Sequence, residues 1–175
     1  MYYHYRLGEE KIKKTISLDS YIYGIALKDN RLIYSGYDKG IRMINIDDES
    51  ISGIVRDTMP RGCYTGTFRD NIYHTNNETN TVTCYRLQGE VQWIFKNERV
   101  LRYPRDIDVD NDGNVYVVGF ESNNVVVIST DGQRHREILT ESYGLINPTS
   151  IQYSGPKNQL LVANLSGKAH LFNIY

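Results

Sequence analysis

Three groups of residues in this 175-residue chain could do chemistry. The first is Asp108-Val109-Asp110-Asn111-Asp112-Gly113, which matches the opening of a calcium loop, D-x-D-x-[DN]-G. Such a loop needs a bidentate acid at its twelfth position and a helix on either side. Gly119 holds that position, and the β-branched residues after Gly113 spell a strand. A solvated hairpin turn is therefore expected, with no metal. The second group is His4, His74, His135 and His170 with Cys63 and Cys84, and none of these falls at a metal-ligand spacing. Both cysteines lie in apolar strand patterns and are expected to be buried free thiols. No nucleophile elbow, phosphate loop or dinucleotide fingerprint is present. The third group is a set of arginines, tyrosines and asparagines in turn-like segments: Arg61, Arg102, Tyr103, Arg105, Asn123, Asn124 and Tyr143. Arg and Tyr anchor protein interfaces and, with stacked bases, single-stranded RNA.

The elements that position these residues are strands. Residues 103–129 read as three short strands. Ile107 and Val109 alternate with polar residues, Asp112-Gly113 marks a hairpin, a β-branched run covers 115–118, and a second turn at 121–124 leads into Val125-Val126-Val127-Ile128. The unit recurs. Tyr-Pro-Arg, Met-Pro-Arg and Asn-Pro-Thr place Pro60, Pro104 and Pro148 at 44-residue intervals, and a divergent earlier copy runs from Tyr23. Each copy continues with a second strand (31–35, 71–75, 114–118, 159–163) and a third (41–46, 81–87, 125–129, 168–174). Three copies add a more polar fourth strand (50–55, 91–95, 134–139), as suits an edge guarded by charge. No segment sustains a 3.6-residue apolar period, which excludes a helical repeat. Four antiparallel strands repeated at this period are the signature of β-propeller blades.

The units run approximately over 1–18 (partial), 19–56, 57–98, 99–140 and 141–175. Residues 1–7 resemble a third strand and 11–18 a fourth, so the chain opens inside a blade and stops after a third strand. An incomplete arc of a larger ring is expected over a small closed ring. A formal net charge of −1 argues against a general polyanion-binding surface, and no DNA partner is expected. No apolar run has the length of a membrane span, and residues 1–14 lack a signal-peptide core. A cytoplasmic protein that does not engage membranes is the expectation.

The run PRDIDVDNDGNVYVVGFESNNVVVISTDGQ resembles an NHL repeat. Pro104, Ile107, Val109, Asp110, Gly113, Val115, Tyr116, Val117 and Asn124 fall on the NHL pattern, while Asp106 stands where a small residue is usual and the acidic turn residue is Glu121 or shifted by one. The second and fourth units are similar to the C-terminal NHL domains of tripartite-motif proteins of invertebrate type. That resemblance implies a six-bladed ring of about 260 residues, given units of roughly 44. It also implies target recognition within a ubiquitin ligase whose zinc-binding modules would lie outside this chain. Tyr34-Ser35-Gly36-Tyr37-Asp38 resembles a WD-repeat turn, but the Gly-His and Trp-Asp dipeptides of that family are missing.

In a propeller the loops leading into each first strand share one face with the turns between second and third strands. That face gathers Arg61, Arg102, Tyr103, Arg105, Asn123, Asn124 and Tyr143, with Asp57, Glu78, Glu98, Glu121 and Glu141 interleaved and expected to offset much of the arginine charge. Phosphate contacts dominate nucleic-acid affinity, so a mixed face favours a protein or peptide partner, with RNA as the alternative. A hydrolytic propeller would need acids from several blades around its channel. The first strands offer Asp106 and Asp108 from one unit, against Gly62, Thr65 and Ser150 elsewhere. A non-enzymatic recognition module without cofactor or metal is expected.

Overall fold

The computed structural model describes residues 14–18 and 20–174. Among these residues fifteen strands form four sheets, each a simple antiparallel meander. Blade 1 holds β1 (Ile22–Lys28), β2 (Arg31–Gly36), β3 (Gly40–Asn45) and β4 (Ile51–Val55). Blade 2 holds β5 (Thr65–Phe68), β6 (Asn71–Asn76), β7 (Thr81–Arg86) and β8 (Val91–Lys96). Blade 3 holds β9 (Pro104–Val109), β10 (Val115–Gly119), β11 (Asn124–Ile128) and β12 (His135–Leu139). Blade 4 holds β13 (Pro148–Ser154), β14 (Gln159–Asn164) and β15 (Ala169–Asn173), three strands among the described residues. First strands pack beside one another in the order β1, β5, β9, β13, so the blades radiate from a common axis as a four-blade β-propeller.

Residue alternation makes the blades stack. In blade 3, Val115, Val117, Val126 and Ile128 turn toward blade 2 and join Tyr73, Val82, Cys84 and Phe95. Tyr116, Val118 and Val125 turn the other way, against Ile151, Leu160 and Val162 of blade 4. Ile33 and Ile41 meet Ile72 at the first junction. Both faces of a central blade are thus buried, which is why its strands read as continuous apolar runs. The fourth strands are mostly exposed, as their polarity predicts.

The turn after β9 is built by Asp110. Its Oδ1 accepts the amides of Asp112 and Asn114 at 2.9 and 2.8 Å, and its Oδ2 accepts Asn114 Nδ2 and the Tyr116 hydroxyl. Gly113 has φ +89°, and a Cβ there would sit 2.7 Å from the Phe68 ring of blade 2. Gly132, at φ +73°, lies against Trp93 in the same way. Glycine is needed at both places for backbone conformation and for space.

Two details differ from the sequence reading. Pro104 and Pro148 begin their strands, but Pro60 lies five residues before Thr65, where β5 starts. Strand pairing makes Ile25, Thr65, Ile107 and Ile151 equivalent, because each opposes the residue two before the end of its second strand (Tyr34, His74, Val117, Val162). Those four positions are spaced 40, 42 and 44 residues apart, so the proline register misplaces blade 2 by two residues. Residues 14–18 form no strand, and the strand expected over 1–7 lies outside the described residues.

Candidate recognition face

The loops leading into the first strands and the turns between second and third strands are laced together at one end of the propeller. The Phe120 amide donates to Tyr103 O, Leu165 N to Asn147 O, and Tyr37 N to Tyr21 O, each within one blade. Asparagines extend the lacing. Asn77, Asn124 and Asn164 are buried, and their Nδ2 groups donate to Arg61 O, Val100 O and Gly144 O. Asn80 Oδ1 accepts the Tyr103 amide and Asn123 Oδ1 accepts the Asn147 amide, both at 2.7 Å, tying each blade to the next.

Two of the candidate contact residues are therefore framework. Asn124 is buried, with Nδ2 also on Glu137 and Oδ1 accepting the Ser122 hydroxyl, so it is closed to a partner. Asn123 spends its carbonyl oxygen on the next blade. Tyr143 is also displaced: a short 3-10 turn, Glu141–Tyr143, carries it to the blade 3–blade 4 cleft, edge-on to Phe172 at 6.3 Å beside Arg136 and Ile138.

The remaining candidates cohere. Arg105 lies 4.1 Å over the Phe120 ring and 5.7 Å from the Tyr103 ring, and the two rings are 5.7 Å apart. Arg102 is exposed beside them and donates to Glu121 O at 3.4 Å. Arg61, exposed on the preceding loop, lies 5.2 Å over Tyr37. Phe120 is a part of this cluster that residue type alone did not single out, although it follows the end of a second strand, as Tyr37 does. Among the described residues none of Arg61, Arg102 and Arg105 stands within 4.0 Å of a carboxylate. The expected offset by interleaved acids does not occur as pairing: Glu98 pairs with Lys96, and Asp57 caps the Thr58 amide.

Tyr103 sits at φ +51°. Its counterpart Asn147 is also left-handed, at φ +47°. Asparagine takes that conformation readily, whereas tyrosine does so at a cost of about 1 kcal/mol. The ring that covers Arg105 is thus held on a strained backbone.

The acids of the first strand also serve the frame. Asp106 Oδ2 accepts the Ser150 hydroxyl and the Ile151 amide at 2.7 and 3.0 Å, and Asp108 Oδ2 accepts the Tyr153 amide at 2.7 Å. Both bridge β9 to β13. Burial raises the Asp108 pKa above its ordinary value despite its bonds to the Tyr153 and Val109 amides. Among the described residues no three His, Cys, Asp or Glu side chains converge as a metal site would. Cys63 and Cys84 are buried free thiols, with pKa values pushed up to about 11 by desolvation. At the first junction Ser35 Oγ and His74 Nε2 lie 3.3 Å apart in the interior, and burial lowers the His74 pKa to about 4.

No family model matches the chain, and no curated protein matches it. Solved structures similar to it are propellers. The chain is similar to one in a nidogen–laminin complex (TM-score 0.72, 19% identity, 87% of this chain and 60% of that one). It is similar to virginiamycin B lyase from Staphylococcus aureus (0.63, 19%, 90% and 57%) and to BamB from Moraxella catarrhalis (0.67, 15%, 87% and 44%). At these identities the likeness carries the fold, and the chain spans between 44% and 60% of those relatives. The expectation of a non-enzymatic chain is corrected here, because the same architecture serves a lyase and so does not exclude catalysis.

Proposed function

We propose that the chain is an NHL-type propeller segment whose loop face recognises a protein or peptide carrying acidic and apolar side chains. One observation carries this reading: Arg105, stacked on Phe120 beside a strained Tyr103, is flanked by Arg102 with no carboxylate pairing either guanidinium among the described residues. A guanidinium oriented by an aromatic face is preorganised for a carboxylate, and Arg and Tyr are the residue types that dominate binding hot spots. A target-recognition role in a tripartite-motif ubiquitin ligase is the wider setting that the NHL resemblance supplies. Fluorescence-polarisation titration against an arrayed library of acidic-aromatic peptides tests the reading. Binding is expected, with loss of at least about tenfold in Arg102→Glu/Arg105→Glu, equivalent to roughly 1.4 kcal/mol.

RNA recognition is the second reading, favoured by the same arginines because phosphate would suit them as well as carboxylate. It predicts that RNA hairpins bind with a steep salt dependence and that the acidic peptides do not compete.

A further inference from the structure

The ring pair beside Arg105 has a counterpart in blade 1. Strand pairing sets Ile22 opposite Gly36, Pro104 opposite Gly119 and Pro148 opposite Asn164, each the last residue of its second strand. The residues just outside these pairs are joined in one way, Tyr37 N to Tyr21 O, Phe120 N to Tyr103 O and Leu165 N to Asn147 O. Tyr21 and Tyr37 therefore hold in blade 1 the places that Tyr103 and Phe120 hold in blade 3. Blade 4 has Asn147 and Leu165 there, and blade 2 follows its second strand with Asn77, which is buried and bonded to Arg61 O. Both aromatic pairs carry a guanidinium, but from different sources. Arg105 comes from β9 of the same blade, whereas Arg61 reaches Tyr37 from the loop that leads into blade 2.

Blade 1 adds a groove of about 440 Å³, lined among the described residues by Leu18, Tyr21 and Tyr37 with Ser20 and Asp38. Tyr37 serves both features, as a wall of the groove and as the ring under Arg61. Asp38 accepts the Ser20 hydroxyl at 2.7 Å and has Lys39 Nζ at 3.9 Å. Its charge turns the groove against a second carboxylate, so an acidic ligand residue is directed to Arg61 and an apolar neighbour to the tyrosines.

We propose that Arg61, Tyr37 and Tyr21 form a second anchor site, so that the face binds one peptide at two points, through an acidic-aromatic pair at blade 1 and another at blade 3. This second site rests on the blade 3 cluster being a carboxylate site. Charge complementarity selects the occupant. Neither Arg61 nor Arg105 has a carboxylate within 4.0 Å among the described residues, and a guanidinium lying on an aromatic face is oriented for planar pairing with one. Blade 2 lies between the two sites, so the anchors need a spacer. Linking them makes the second contact intramolecular, at an effective concentration that the spacer sets.

The probe is the best acidic-aromatic library peptide, synthesised alone and as two copies joined by Gly-Ser spacers of increasing length. Calorimetric titration is expected to give at least about a tenfold tighter affinity for the best-spaced double peptide than for the single one, at one double peptide per chain. Arg61→Glu should abolish that gain, and Lys157→Glu, in the turn between β13 and β14, should keep it. Asn77 holds only the backbone carbonyl of Arg61, so the fold should be unchanged by circular dichroism. A library with no binder would overturn the carboxylate reading and the second site with it. A single peptide that binds through Arg102 and Arg105 and gains nothing from a second copy at any spacer length would overturn the second site alone. So would a gain that survives Arg61→Glu.

Discussion

Tyr103 is the residue at which conformation and chemistry pull in opposite directions. Its left-handed backbone suits asparagine, as Asn147 shows one blade later, yet its ring helps to hold Arg105. Tyr103→Asn is therefore expected to leave stability unchanged or raise it by up to about 1 kcal/mol, while weakening peptide binding. Urea unfolding and titration of the same preparation check both signs. Buried Asn124 should behave in the opposite way. Asn124→Leu strands Val100 O and is expected to cost about 2–3 kcal/mol. His74 gives a pH signature. Its folded pKa of about 4 lies below the ordinary 6.5, so stability is complete above pH 6.5 and falls as pH drops toward 4. The loss at pH 5 should be about 2 kcal/mol from this group. His74→Gln should flatten that dependence in urea titrations at pH 7 and pH 5.

At the scale of the element, the strands were legible because their alternation is dictated by burial. Val115 to Val118 read as a strand since both faces of blade 3 are covered. Asp112-Gly113 read as a turn because only glycine fits at φ +89° against Phe68. Gly113→Ala is accordingly expected to destabilise by more than 1 kcal/mol, measurable by thermal unfolding. Other features were not legible. Pro60 matches Pro104 in sequence but stands outside its strand, and pairing that fixes register is not written in any single residue. Nor does sequence distinguish an asparagine that reaches a partner from one that ties a loop to a turn, as Asn123 and Asn124 do. Tyr143 was misplaced for a related reason, because a three-residue 3-10 turn redirects it. Arg102, Tyr103 and Arg105 adjoin Pro104 at the start of β9, so the repeat alone brings them to a loop at the rim.

For the whole molecule, the blades stack through apolar clusters at each of the three junctions. Acids that might have formed a channel site, Asp106 and Asp108, instead fasten β9 to β13. At the end of the propeller that carries the loops into the first strands, Arg61 and Arg105 lie on the aromatic rings of Tyr37 and Phe120. The most direct test of that account is the affinity of the intact chain for its best acidic-aromatic peptide, measured in parallel for Arg102→Glu/Arg105→Glu and for Lys157→Glu, a charge reversal away from the face. A loss of at least about tenfold in the first variant alone is the predicted result. Equal affinity in all three chains, or equal loss in both variants, would contradict it.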